Sequence, residues 1–237
     1  RVLDRVGLVR YVGGKSRNAR AIVDAIESRH PGGIAIEPFM GGGAVTTELA
    51  KRYSLVLASD FHEDLALMWQ AVNDGWHPPS GVTEAEYAAL RRSDPSALRG
   101  FVGFGGSVGG KWFGGYSNGR KGDGIETSAR VIAKQGATLR AGRVVVTHSD
   151  YRSVPVIPGA VIYCDPPYQG TQGYTTGEFD HVEFWAWAEI ASDTASVFVS
   201  EYKAPSWWSC IWEARRVEGL AQAHHGRATR VERLWTL

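Results

Sequence analysis

Cysteine is scarce in this chain. Cys164 and Cys210 are the only two in 237 residues, and they form neither a CxxC pair nor any usual zinc spacing. No metal site is therefore expected, and a reducing, cytoplasmic setting fits best. An excess of one charge is also missing. Lys and Arg number 26 against 25 Asp and Glu, a net charge of +1, so any affinity for a polyanion must come from a local patch. No stretch approaches the roughly 18 apolar residues of a membrane span, and the opening RVLDRVGLVRYVGGKS carries no apolar signal-peptide core. Heptads and internal repeats are absent. Hydrophobic residues make up 43% of the chain, enough for one core or one core with an insertion, and a monomer is expected.

The apolar pattern alternates between helix and strand periods. Ala19, Ile22, Val23 and Ile26 fall at helical spacing within 17–29, and HPGG ends that run. IAIE (34–37) reads as a strand that feeds PFMGGG, and a helix opens over 44–53. SLVLASD (54–60) is a second strand ending in an acid, and a helix follows over 61–76. Further strands are expected at 143–150, 160–165 and 196–201, with a helix at 181–192. Two closing strands follow, with a turn near His224–Gly226. Trp207, Trp208 and Trp212 are expected to pack a helix after SVFVSE. His224 and His225 lack a partner cluster and read as turn residues rather than ligands. Strand, glycine loop, helix, strand, acid is the opening of a doubly wound α/β nucleotide-binding sheet.

Residues 76–143 interrupt this pattern, which divides the chain into a catalytic domain (1–75 and 144–237) and an inserted recognition segment. Helices are expected near 83–92 and 126–137, around a glycine-rich centre. Between Gly100 and Gly124, 11 of 25 residues are glycine, interleaved with Phe101, Phe104, Trp112, Phe113 and Tyr116. From Arg91 to Arg143 there are ten Lys or Arg against three Asp or Glu. Such a basic, aromatic stretch suits phosphate contact, with Lys111, Trp112, Tyr116, Arg120 and Lys121 as the candidates for substrate recognition. The competing reading is that Trp112 and Phe113 simply pack.

Three motifs carry chemistry. Gly41-Gly42-Gly43 after the first strand allows a tight turn and close approach of a ligand. Asp60 follows Gly41 by 19 residues at the next strand end, where an acid can hold ribose hydroxyls. The loop lacks GxxxxGK[ST], which points away from a polyphosphate and towards an adenosine-type cofactor. Tyr11-Val12-Gly13-Gly14-Lys15, ahead of the first helix, is placed to line the same pocket. Asp165-Pro166-Pro167-Tyr168 ends an apolar strand. Two prolines lock the loop, so the Asp165 carboxylate and the Pro166 carbonyl form two acceptors at fixed separation, fit for an exocyclic amino group. Tyr168 offers a face to a planar base.

In this order, YVGGK, EPFMGGG, SD and YCDPPY resemble the Dam-type (alpha-class) DNA adenine-N6 methyltransferase family. GGKWFGGYSNG, SEYKAP and the terminal RVERLW extend the resemblance over nearly the whole chain. It implies a Rossmann-like S-adenosylmethionine-dependent methyltransferase sheet with a small inserted recognition domain, a flipped adenine of DNA as substrate and S-adenosylmethionine as cofactor. Carried over residue by residue, it implies that Tyr11, Gly13, Gly14 and Lys15 touch the cofactor. Glu37, Phe39, Gly41 and Gly43 would shape its methionine end. Asp60 would hold the ribose, Asp150 the adenine, and Asp165 to Tyr168 would be catalytic, with Asp165 also beside the cofactor. Gly42 departs from the family, which often has another small residue there. Cytosine-N4, RNA adenine and a non-catalytic binding module stay open as alternatives.

Overall fold

The computed structural model describes residues 14–117, 124–169, 179–217 and 229–237. Short apolar runs such as VIYC can be buried on both faces only in a sheet covered on both sides, and that is where they lie. In chain order the elements are α1 (Ala19–Glu27), β1 (Ile34–Glu37), α2 (Ala44–Leu49), β2 (Leu55–Asp60), α3 (Glu63–Asn73), α4 (Glu84–Leu90), α5 (Ala97–Gly105) and α6 (Ile125–Ala141). Then come β3 (Val144–His148), β4 (Val161–Cys164), α7 (His181–Ser192), β5 (Ser196–Glu201), β6 (Ser209–Val217) and β7 (Thr229–Thr236).

The seven strands form one sheet in the order β3-β2-β1-β4-β5-β7-β6. The first five are parallel, and β7 runs antiparallel between β5 and β6. Alternate residues of the central strands β1 and β4 enter two different cores. Ala35, Val161 and Tyr163 face the larger one with α1, α3, α5 and α6, whereas Ile36, Ile162 and Cys164 face Phe184, Ala188 and Ala191 of α7. This is a Rossmann-like, doubly wound α/β sheet. Its strand order reverses between β1 and β4, and the crevice beyond their carboxyl ends is the position at which open α/β sheets generally receive ligands.

Two features depart from the sequence pattern. The glycine-rich centre contains a helix, α5, where helical propensity argues against one, since glycine costs about 1 kcal/mol per interior position. The glycines are there for proximity. A Cβ on Gly100 would lie 2.1 Å from the Asp64 carbonyl oxygen of α3, and one on Gly103 would lie 2.2 Å from the Trp112 ring. The Asp64 carboxylate secures the approach by accepting the Ser96 N–H (2.9 Å) and pairing with Arg99 (2.7 Å). Between β5 and β6 there is no helix for tryptophans to pack. A turn closed by the Trp208 N–H on the Pro205 carbonyl (3.0 Å) leads directly into β6. Trp208 is buried edge-on to Trp185 (5.0 Å), Trp207 is exposed, and Trp212 lies on β6. The expected turn at His224–Gly226 lies outside the described residues.

The described part of segment 76–143 has no core of its own. Phe101, Val102, Ile132 and Leu139 share one cluster with Leu65, Trp69 and Val72. The Arg140 guanidinium donates to the Val72 carbonyl (2.7 Å), so α6 belongs to the helical layer of the sheet itself.

Candidate active site

At the carboxyl end of β1 the chain must turn sharply into α2. Gly41 (φ 49°) and Gly43 (φ 66°) take left-handed conformations to do so. The loop is held on every side. Gly41 donates its N–H to Asp60 Oδ2 (2.8 Å) and accepts from Trp69 Nε1 (2.9 Å), while Gln135 Nε2 donates to the Gly42 carbonyl (3.1 Å). Asp60 also accepts the His62 N–H (2.9 Å). Burial lifts the Asp60 carboxyl to about 6, tempered by those two backbone N–H groups. Beneath the loop, Glu37 is buried and accepts from Thr46 Oγ1 (2.6 Å). Its burial pushes it well above the usual carboxylate range, and the charges of Asp165 and Asp60 add to that.

Asp165 follows β4 directly. Its side chain is 19% exposed, so it opens partly onto the crevice. Oδ1 lies 2.7 Å from Lys15 Nζ, which is also 3.5 Å from Glu232 Oε1 on β7 and 4.6 Å from the centre of the Tyr168 ring. Burial raises the Asp165 carboxyl and Lys15 pulls it back; the lysine, which burial alone would lower, is raised by the two acids. Pro166 is buried and Pro167 and Tyr168 are half-buried. Tyr168 stands edge-on to Tyr202 (4.6 Å). Behind the loop, Glu201 accepts the N–H of Gln169 (3.1 Å) and of Tyr202 (2.6 Å), and burial lifts its carboxyl to about 7.

Lys15, Glu37, Gly41, Gly43, Asp60 and Asp165 to Tyr168 thus converge on one sheet edge, and Gly14 immediately precedes Lys15. Tyr11 and Gly13 lie outside the described residues. Phe39 points into the second core, stacked on Tyr151 (5.5 Å) and edge-on to Phe184 (5.8 Å). Asp150 is at the β3 end beside Asp60, but its carboxylate is engaged. Arg152 binds it through Nε (2.8 Å) and Nη2 (2.7 Å) and holds it below its ordinary range.

Of the DNA-facing candidates, Lys111 is exposed. Trp112 is occupied by packing, 4.3 Å from the His62 ring and 4.8 Å from Phe104, with the Arg99 guanidinium over it at 5.2 Å. Tyr116 donates to the Val82 carbonyl (2.7 Å) and abuts Tyr87 (5.5 Å). Both keep only a partly exposed edge. Arg120 and Lys121 lie outside the described residues. Sequence reasoning passed over Phe61, exposed at the edge directly after Asp60, and Glu232, whose partner Lys15 is far away in sequence. The signal for Phe61 was available: a large apolar residue next to a strand-end acid. Among the described residues no group of three His, Cys, Asp or Glu could hold a metal, and no helix is long and apolar enough to cross a membrane.

Residues 11–95 match the model of the D12 class N6 adenine-specific DNA methyltransferase family. The matched stretch carries YVGGK, the glycine loop and Asp60, and ends before DPPY. The resemblance read from those motifs is therefore borne out. No curated protein matches the chain. Among solved structures, an rRNA methylase from Streptococcus thermophilus is 10% identical, with 93% of this chain and 97% of that one covered and a TM-score of 0.42. The 23S rRNA methyltransferase ErmE is 12% identical, with 93% and 69% covered and a TM-score of 0.42. Precorrin 8w decarboxylase from Methanobacterium thermoautotrophicum is 12% identical, with 93% and 90% covered and a TM-score of 0.40. At these scores the likeness adds nothing to the strand order described above. The D12 match supports an enzyme that transfers methyl groups, and the Rossmann-like sheet is consistent with it.

Proposed function

We propose that the protein methylates the N6 amino group of adenine in DNA, using S-adenosylmethionine. The observation that carries this is the Asp-Pro-Pro-Tyr loop, which ends β4 with its acid fixed by Lys15, at the switch point and beside the glycine loop. The chemistry of the donor set fits the cofactor. Asp60 uses one lone pair of each oxygen on backbone N–H groups, which leaves acceptor sites for ribose hydroxyls. Glu37, raised and buried, can accept from an ammonium without a permanent buried charge in its absence. Phe61 offers an apolar face for a purine. Asp150 could meet the adenine amino group with the lone pairs that Arg152 leaves. When bound, S-adenosylmethionine supplies a methyl group on a sulfonium.

The chain's own part is to prepare the acceptor. The N6 lone pair of adenine is delocalised into the ring, so the amine is a poor nucleophile. With Oδ1 fixed by Lys15, Asp165 Oδ2 and the Pro166 carbonyl accept the two N–H bonds and favour a pyramidal nitrogen. N6 gains the methyl and gives up one proton, which passes to Asp165 or to water. Orientation of this kind can supply on the order of 7–11 kcal/mol, and acceptors fixed towards the positive charge developing on nitrogen add to it. A base in a duplex must leave the stack to reach the loop. That costs a few kcal/mol, partly recovered on the Tyr168 ring. The basic segment between Arg91 and Arg143 grips phosphate through Lys111, with Arg120 and Lys121 as further candidates.

The test is transfer of a labelled methyl group to unmethylated duplex DNA, followed by nucleoside analysis. N6-methyladenine is the expected product. N4-methylcytosine, or transfer to RNA alone, would replace the substrate assignment, and no transfer to any nucleic acid would overturn it.

A further inference from the structure

The buried cluster around Lys15 contains one acid more than charge neutrality needs. Asp165 at 2.7 Å would suffice to neutralise the lysine, yet Glu232 reaches in from β7 to 3.5 Å, and its other oxygen accepts from Asn18 Nδ2 at 3.0 Å. Both Lys15 and Glu232 are under 10% exposed. A second buried carboxylate is a poor stabilising device, because its desolvation must be offset by partners already committed elsewhere. It suits chemistry in which positive charge arrives. With both acids ionised, the trio carries one net negative charge directly beside the acceptor loop.

We propose that Glu232 is a positioning residue: by sharing Lys15, it keeps the ammonium from monopolising Asp165, which therefore remains a strong acceptor for the substrate amine. This rests on the functional reading above. The other groups that face Asp165 cannot take this part. Burial raises the Tyr163 and Cys164 groups on β4, Tyr168 in the loop and Glu37 on β1, which disfavours the charged form of each. Glu201 on β5 is lifted to about 7 and spends its oxygens on two backbone N–H groups.

The decisive variant is Glu232→Gln, which preserves volume and the acceptor for Asn18 while removing the charge. Lys15 then turns wholly to Asp165, and a neighbouring negative charge is lost. Both effects favour the ionised Asp165, so the acidic limb of the kcat profile moves to lower pH. We expect kcat to fall by roughly tenfold, less than for loss of a group in direct contact, with KM for DNA little changed. Glu232→Asp should recover part of the loss. In the free protein, the ¹³C titration of the Asp165 carboxyl should move to lower pH in Glu232→Gln. If Glu232→Gln does not fold, Asn18→Ala frees Glu232 to pull harder on Lys15 and should move the same titration to higher pH. An Asp165 titration and acidic limb that stay put would overturn the proposal. A wild-type protein that methylates no adenine in DNA would sink the functional reading instead, and the carboxyl titration would still decide the role of Glu232.

Discussion

Gly100→Ala sets helix propensity against packing, and the two predict opposite signs. Propensity alone makes the variant about 1 kcal/mol more stable, since alanine is the better helix former. The structure puts the new Cβ 2.1 Å from the Asp64 carbonyl oxygen, a backbone atom within α3 that cannot swing aside. A carbon and a carbonyl oxygen approach no closer than about 3.3 Å, so α5 must retreat from α3 by about 1 Å. Overpacking of this kind costs about 1–3 kcal/mol. The retreat also stretches the Ser96 and Arg99 bonds to Asp64, now 2.9 and 2.7 Å, and hydrogen bonds to a charged group contribute about 1.5–3 kcal/mol. Net of the propensity gain, the loss should be about 2–4 kcal/mol. Urea unfolding reads this as a fall in midpoint of about 1 M. Gly81→Ala, where a Cβ meets nothing within 4 Å, is the control and should stay within about 0.5 kcal/mol of wild type. A Gly100→Ala protein as stable as wild type, or more so, would refute the close-approach account of α5.

Asp165→Ala should lower methyl transfer by at least about 10³-fold while the affinity for S-adenosylhomocysteine, measured by calorimetry, changes little; retained activity would remove Asp165 from the mechanism. Lys111→Ala should make the dependence of log affinity for DNA on log salt shallower by about 0.9, and an unchanged slope would take Lys111 off the phosphate path. Glu201 gives a pH signature. Its carboxyl is raised to about 7 in the folded chain from an ordinary value of 4.5, so the folded state binds the extra proton. Its contribution is full below about 4.5 and is lost as pH rises through 7, so stability should fall across that window. Glu201→Gln should flatten the fall in urea midpoints between pH 5 and 8, and an identical pH slope in the variant would show that other groups carry it.

The elements that build the sheet were legible because their signals are local. IAIE, SLVLASD and VIYC are apolar runs closed by acids, and each became a strand with its acid at the carboxyl edge. The glycine loop and DPPY were legible for the same reason, since each motif is one short stretch whose backbone demands are written in Gly and Pro. What escaped was non-local. Glycines 100, 103 and 105 look like a loop until α3, Trp112 and Ser128 of α6 are known to lie against them in turn. Trp112 and Tyr116 look like ligand contacts until their partners His62, Phe104 and Val82 are in place. Glu232 is 217 residues from Lys15, and only the insertion of β7 beside β5 brings them together.

The shared core of α3, α5 and α6 bears on any attempt to exchange specificity between relatives. Segment 76–143 looks like a cassette on paper, but its helices are keyed to one face of α3 by Gly100, by Asp64 and by the Arg140 contact to Val72. A chimera cut at the ends of the segment would bring a donor surface against a foreign α3. The transplantable unit runs from α3 through α6, and it takes Phe61 and His62, which directly follow Asp60, into the graft's border. Swapping the segment proposed to read the nucleic acid would therefore retune the residues proposed to hold the cofactor.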